Sequence, residues 1–487
     1  MENLPKNWVE TDLGNILKLK NGYAFKSKDY REEGTPLIRI SNIQQGDVIT
    51  EKSIYVDFND SAEDFIVEKG DVLVAMSGAT TGKYGIFNED IKAYQNQRVG
   101  NLKPLAPNLT SRRFIYYLLG GLQNEIEDKA YGGAQPNISA KLIETIKIGL
   151  PPLPEQQRIV AKLDTLFGHL DSLKQRLEHI PTLLKQFRQS VLAQAVTGKL
   201  TEEWREGKEL GDIDKVLLSL KEDRVGIGDL PKKLRPIDKS QYKLTYPQGW
   251  RLACLGEVYE IVRGASPRPK GDPKYFSDEK TDFHWIKIAD FAKHSVNNSL
   301  FDTEEFLTYE GSLKSRKVDS KDLLVAASGV GSVGKSSKLR IEGYIYDGLM
   351  AIKDIDIEQS KDFISYFLKL KEEELHHSST GTSWLNINTE ILNNYIIPIC
   401  TLKEQTEIVH RVEALFAKAD SIEAAYENLK QQIDSLPQAI LAKAFKGELV
   451  EQLPTDGDAK DLLKEIAALR ASLEKEKKSK NKKKVNA

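Results

Sequence analysis

Cysteine is nearly absent: Cys254 and Cys400 are the only two in 487 residues, and both sit in apolar sequence. That excludes a disulfide framework and a multi-cysteine zinc site, and it fits a reducing, cytoplasmic setting. No uninterrupted apolar run approaches the ~20 residues a membrane span needs, so no membrane partner is expected. The N-terminal Met-Glu-Asn-Leu-Pro-Lys has no apolar core for export. Charge of one sign is lacking too. Seventy Lys and Arg against 72 Asp and Glu leave a net charge of −2, so no global field draws the chain to nucleic acid and any such binding must be local. The seven histidines, including the adjacent His376-His377, show no His-x-x-x-His or Cys pairing, so no metal site is expected. Signatures of chemistry are missing as well. No Asn/Asp-Pro-Pro-Tyr string stands ready to hold a flipped base for methyl transfer, and no Gly-rich dinucleotide turn occurs. Glu127-Asp128-Lys129 is half of a common nuclease motif, at a density expected by chance among so many charges.

What is present is length, apolar content and repetition. The chain is about three times a single-domain length, and 40% hydrophobic with 29% charged residues suffices to bury cores. Leu4-Pro-Lys-Asn-Trp8 leading to Leu13-Gly14 recurs as Tyr246-Pro-Gln-Gly-Trp250 leading to Leu255-Gly256. Asp71-Val-Leu-Val-Ala-Met-Ser-Gly78 recurs as Asp322-Leu-Leu-Val-Ala-Ala-Ser-Gly329, and each copy reaches a Gly-Lys pair, Gly82-Lys83 and Gly334-Lys335. Glu155-Gln156 through Gly198-Lys-Leu200 matches Glu404-Gln405 through Gly447-Glu-Leu449 without a gap, at a constant offset of 249. Three blocks in one order mean an internal duplication.

Each copy opens with short β-branched runs broken by Gly and Asn, which predicts a mixed α+β globular unit. After Pro154 apolar residues recur in alternating steps of four and three, a heptad seam. Its members include Leu163, Leu166, Leu170, Leu173, Leu177 and Leu184 in the first copy and Val412, Leu415, Ile422, Leu429, Ile433 and Ile440 in the second. Two equal stripes in one chain predict an antiparallel helix pair, since either alone would be an aggregation surface. Pro181 and Pro437 should each kink or break a helix. The chain thus divides into a globular unit at 1–150, a spacer helix at 151–200, a linker at 201–243, a second unit at 244–397, a second spacer helix at 398–450, and a C-terminal helix with a lysine-rich tail at 451–487. The linker carries a helix candidate at Lys215–Asp223. The C-terminal region carries another at Lys460–Glu474, and seven lysines between Lys475 and Lys484 then read as a solvated, disordered tail.

Gly329-Val-Gly-Ser-Val-Gly334-Lys335-Ser336 matches the phosphate-cradling P-loop pattern, which must open a helix. The following Lys338-Leu-Arg-Ile-Glu-Gly343 alternates like a strand instead. A Gly-rich loop between two strands, offering N–H groups and Lys83 or Lys335 to a DNA phosphate, is the better reading. Tyr94-Gln95-Asn96-Gln97-Arg98 combines amides that pair with adenine and an arginine that pairs with guanine. The loops ahead of the seams are rich in stacking and hydrogen-bonding groups, with Tyr131, Gln135 and Asn137 in one and Thr382, Ser383 and Trp384 in the other. For any one residue of the Tyr94–Arg98 set a plain surface strand is the better reading, and each loop is equally read as a structural turn docking onto the helix. Two other readings stay open: a stand-alone nucleotide-binding enzyme using the 329–336 loop, and a coiled-coil scaffold that never touches DNA.

These residues resemble the specificity subunits of Type I restriction-modification systems. The resemblance rests on Asp71–Gly78 with its Gly-Lys loop, on Pro151-Pro-Leu-Pro154-Glu-Gln-Gln157 before a long helix, and on Ala195-Val-Thr-Gly198-Lys-Leu200, each with a degenerate second copy. It implies two target-recognition domains, each reading half of a split double-stranded DNA sequence, held by an antiparallel pair of long helices that dock two methyltransferase subunits. Two restriction subunits then join. It also implies that the chain itself is non-catalytic, with S-adenosylmethionine, ATP and magnesium on the partners that methylate adenine N6 and cleave DNA. Cys400-Thr-Leu-Lys403 replaces the Pro-Pro-Leu-Pro run in the second copy, which leaves the geometry at the start of the second helix open.

Overall fold

The computed structural model describes residues 4–44, 46–57, 60–130, 136–227, 234–237, 246–296, 298–329, 331–353, 355, 358–377 and 386–485. It divides into two compact units, the first built from two separate stretches of chain and the second from one. The first consists of Met1–Glu178 with Glu427–Ala487, the second of His179–Tyr426.

In the first unit one five-stranded sheet runs in the order Leu17–Asn21, Val99–Pro104, Val72–Ala75, Tyr84–Ile86, Gly46–Asp47. A second runs Tyr30–Arg31, Ile54–Val56, Thr35–Ile38, Ala93–Gln95, Ile66–Val67. Val72–Ala75 is buried along its whole length because both faces are covered. Side chains alternate across a strand, so Val72 and Val74 enter a core with Phe114, Ile115 and Leu118 of the Arg112–Ala130 helix, while Leu73 and Ala75 enter one with Ile38, Val67 and Phe87.

The second unit repeats this plan strand for strand. Ile261–Arg263, Leu349–Ile352, Leu323–Ala326, Ser336–Leu339 and Ser299–Leu300 lie in the corresponding order, with Ser295–Val296 added at the edge. Phe276–Ser277, Glu305–Leu307, His284–Ile286, Gly343–Ile345 and Arg316–Val318 form the other sheet. Leu323 and Val325 face Ile364 and Phe367, and Leu324 and Ala326 face the opposite core, as in the first copy. The parallel pairs also correspond: Ala93–Gln95 on Thr35–Ile38, and Gly343–Ile345 on His284–Ile286. In each unit an antiparallel pair ties the opening strand to the one before the long helix, Val9–Asp12 with Lys147–Leu150 and Arg251–Cys254 with Ile396–Ile399.

The seams fold as helices Leu153–Glu178, Ile180–Val196 and Leu402–Phe445. Within the first unit Ile159 and Leu163 pack with Leu441 and Ala444, and Lys174 pairs with Asp434 at 3.4 Å. Numbers rising on one helix fall on the other, so the pair is antiparallel. Within the second unit Val191, Leu192 and Ala195 pack with Ile408 and Val412, and Arg188 reaches Asp420 and Glu423 at 2.6 and 2.7 Å, again antiparallel.

The seam is not buried throughout. Leu163, Leu170, Leu184, Val412 and Ile433 are buried and Leu166, Leu177, Leu415 and Ile440 half-buried, whereas Leu173, Ile422 and Leu429 are 43%, 52% and 44% exposed. Toward the globular parts Trp8 and Tyr117, or Trp250 and Phe363, cover the helix pair from a third side, and among the described residues the exposed positions have no such cover.

The two prolines differ. Helix is interrupted at His179, and Pro181 occupies the first turn of the next segment, where no N–H is required. Pro437 lies inside Leu402–Phe445, which does not break there; Ile433, Leu441 and Ala444 are buried on either side of it and hold the segment in place. Both long helices begin at equivalent positions, Leu153 and Leu402, despite the lost prolines. Gln156 Nε2 donates to Pro151 O and Gln405 Nε2 to Cys400 O, each at 2.9 Å, so the start is set by the glutamine.

The duplication extends past the seams. Leu462 and Ile466 of the Ala459–Val485 helix complete the first unit's core, and Ile213 and Leu217 of Ile213–Ile227 complete the second's, at the same offset of 249. The helix runs to Val485 through the lysines expected to be disordered. No Gly or Pro interrupts them, and lysine is a good helix former. No helix among the described residues is long and apolar enough to cross a membrane.

Candidate nucleic-acid interface

The site is built on a clamp repeated in both units. Trp8 Nε1 donates to Glu155 Oε2 at 3.0 Å, and Trp250 Nε1 donates to Glu404 Oε2 at 2.9 Å, all buried. Gln452 Nε2 donates to Glu155 Oε1 at 2.9 Å, while Glu404 Oε1 accepts from Thr201 Oγ1 at 2.8 Å and Arg205 Nη1 at 2.6 Å. Gly198 and Gly447, both at positive φ, pass under Pro247 and Pro5, where a Cβ would stand 2.6 and 2.3 Å from the ring. The Pro-x-x-Trp, Glu-Gln and Gly-x-Leu strings that define the duplication are therefore one joint between globular part and helix. Their recurrence is visible in the sequence but this role is not, because each Trp lies about 150 residues from its Glu in the chain.

The Gly-rich loops join antiparallel strands, Val72–Ala75 to Tyr84–Ile86 and Leu323–Ala326 to Ser336–Leu339. Gly82 N donates to Ala75 O and Gly334 N to Ala326 O. A strand, not a helix, follows Lys335, so no helix N-terminus receives a nucleotide's phosphates. Lys83 and Lys335 are exposed, and neither meets a carboxylate among the described residues. Lys335 lines a cleft of about 380 Å³ with Lys369, Ser332 and Asn298, and Glu372 is the one acid on its wall. Each loop rests on the segment preceding the seam: Ile138 N donates to Met76 O and Ile387 N to Ala327 O. Asn137 is exposed beside Ser77. Tyr131, Gln135, Thr382, Ser383 and Trp384 lie outside the described residues.

The Tyr94–Arg98 set is split by the fold. Gln95 is 1% exposed and its Nε2 donates to Lys20 O and Val99 O at 2.7 and 2.6 Å, so this amide is spent on main chain and faces no base. A strand directs alternate side chains inward, which the run of polar letters conceals. Asn96 accepts from Arg98 N at 3.3 Å, and Gln97 and Arg98 are exposed. The equivalent turn in the second unit is Tyr346-Asp347-Gly348: Gly22 N donates to Val99 O as Gly264 N does to Leu349 O. Burial, its largest cause, raises the Tyr346 hydroxyl above its ordinary range.

The family model described as Type I restriction modification DNA specificity domain matches residues 5–182 and again 247–431. The EcoBI Type I restriction enzyme specificity subunit of Escherichia coli is 31% identical, over 96% of this chain and 93% of that one. The EcoKI specificity subunit, also from Escherichia coli, is 28% identical over 96% and 97%. The crystal structure of the HsdS subunit from Thermoanaerobacter tengcongensis matches with a TM-score of 0.59 at 20% identity, over 92% of this chain and 98% of that one. A chain from a structure of complex assembly and conformational transition in the type I R-M system matches with a TM-score of 0.63 at the same identity, over 92% and 100%. At 20% identity these last two likenesses are ones of fold. With two copies of the specificity domain filling most of its length and a relative alike from end to end, this chain belongs to the DNA specificity subunits of Type I restriction-modification systems.

Proposed function

We propose that each unit reads one half of a bipartite DNA target and that the antiparallel helices set the spacing between halves. The same helices dock two methyltransferase subunits, and two restriction subunits complete the assembly. Adenine-N6 methylation and ATP-dependent cleavage then belong to those partners, which carry S-adenosylmethionine, ATP and magnesium. The carrying observation is the strand-for-strand repetition of one scaffold whose buried joints match while its exposed loops differ. Lys83 and Lys335, on equivalent loops, serve as phosphate contacts that position each unit. Leu173, Leu429 and Leu436 in one unit, and Leu183, Phe187 and Ile422 in the other, leave apolar positions uncovered on the helices and supply the docking surface. The test is adenine-methylation mapping of genomic DNA from cells expressing this chain with its methyltransferase partner. A split motif with a fixed gap supports the reading, and a contiguous motif or none overturns it.

A further inference from the structure

The second unit holds another cleft, of about 550 Å³, beside the Lys335 cleft. Lys287 lines the one and the adjacent Ile288 the other. Its mouth is formed by two loops that the backbone locks together. Gly264 lies so close to the Tyr346 carbonyl that a Cβ would stand 2.1 Å from it, and Arg263 Nε donates to Asp347 O at 2.8 Å. Asp347 N donates to Ser266 Oγ at 3.3 Å. At this mouth Arg268 Nη2 lies 3.3 Å from Asp347 Oδ2, with the two side chains 72% and 49% exposed. Trp285, Phe306 and Tyr346 form the apolar walls.

The charge pattern separates this cleft from its neighbour. Two cations, Lys335 and Lys369, and one acid, Glu372, line that cleft, a net positive charge that suits a phosphate. Here Arg268 is matched by Asp347 and Lys287 by Glu305, so little net field is left to hold a polyanion. What remains is directional: a planar guanidinium fork with one nitrogen, Nη2, held by a carboxylate at the edge of two interlocked loops. Such a fork matches the O6 and N7 acceptors of guanine in the major groove. In the first unit Gly22 abuts the Asn96 carbonyl in the same way, a Cβ there standing 2.3 Å from it, yet the corresponding exposed side chains are Lys26 and Gln97. The scaffold is kept and its tips differ.

We infer that Arg268 reads a guanine in the half-site of the second unit, with Asp347 as the residue that positions it. This rests on the proposal that each unit reads one half-site. The test uses the full chain with its methyltransferase partner, acting on duplexes randomised across both half-sites, with methylated adenines mapped. Arg268→Ala should erase the preference for guanine at one base pair of the second half-site, a loss of about 10- to 100-fold in discrimination. Asp347→Asn should weaken that same position, and Arg268→Lys should not restore it, because an ammonium lacks the fork. Unchanged reading of the first half-site in the same complexes shows that the chain is folded. A motif that survives both variants intact overturns the inference and leaves two-unit reading standing. So does a uniform loss over all sequences with a shallower salt dependence, which marks a phosphate contact. A wild-type complex with no split motif overturns both.

Discussion

Replacing Glu404 by alanine should destabilise the second unit severely. The carboxylate is 1% exposed and accepts from Trp250 Nε1, Thr201 Oγ1 and Arg205 Nη1 at 2.9, 2.8 and 2.6 Å. Its removal takes the acceptor from Trp250 Nε1 and the counter-charge from a guanidinium only 17% exposed, which keeps only the neutral acceptors Gly198 O and Thr201 Oγ1 among the described residues. Stranding the charged partner of a buried pair costs about 3–5 kcal/mol. For a unit of this size, His179–Tyr426, each kcal/mol moves the midpoint by about 2–4 °C, so the expected fall is about 6–20 °C. Glu155→Ala is the internal control. Among the described residues Glu155 accepts from the neutral donors of Trp8 and Gln452, so its loss should cost less. Replacing Arg205 by methionine in the Glu404→Ala background should recover part of the loss, since no charge is then stranded. Scanning calorimetry of the purified chain reads all three. A Glu404→Ala shift below about 2 °C, or one smaller than that of Glu155→Ala, would refute the argument.

Lys335→Ala with Lys369→Ala should weaken DNA binding evenly across sequences and flatten the salt dependence by about one unit per cation, as measured by titration at several salt concentrations. A change of sequence preference would count against phosphate contacts. Deleting residues 170–176 and 419–425, one heptad from each seam, shortens the helices by about 10 Å, or about three base pairs, so methylation mapping of a soluble complex should return a shorter gap between unchanged half-sites. The original gap would contradict a ruler. A chain ending at residue 243 should dimerise, visible by light scattering, because it lacks Glu427–Ala487 of the first unit but retains the equivalent segment from 178 onward. Ile213 and Leu217 of one copy then take the places of Leu462 and Ile466 in the other, and the target becomes an interrupted palindrome of the first half-site. A monomer that binds the asymmetric site would contradict this.

Local signals carry much of the fold. The heptads, the Gly-rich loops ending in Gly-Lys and the alternating apolar strands each encode their own structure within a few residues, and the duplication shows which belong together. Two things are not local. One is that Leu462 and Ile466 finish a core begun at Leu13, because a hydrophobic helix pattern does not name the core it enters. The other is side-chain direction: Gln95 and Gln97 look alike in sequence, yet one faces main chain and the other solvent. Arg268 and Asp347 escape sequence reading for both reasons, being 79 positions apart and joined only where Gly264 brings their loops together.

The central claim is that the two units are independent readers. Exchanging residues 1–150 for the equivalent region of the EcoBI specificity subunit and mapping methylated adenines tests it most directly. The account predicts a motif in which one half changes while the other half is kept. A motif in which both halves change together, or neither does, would contradict it.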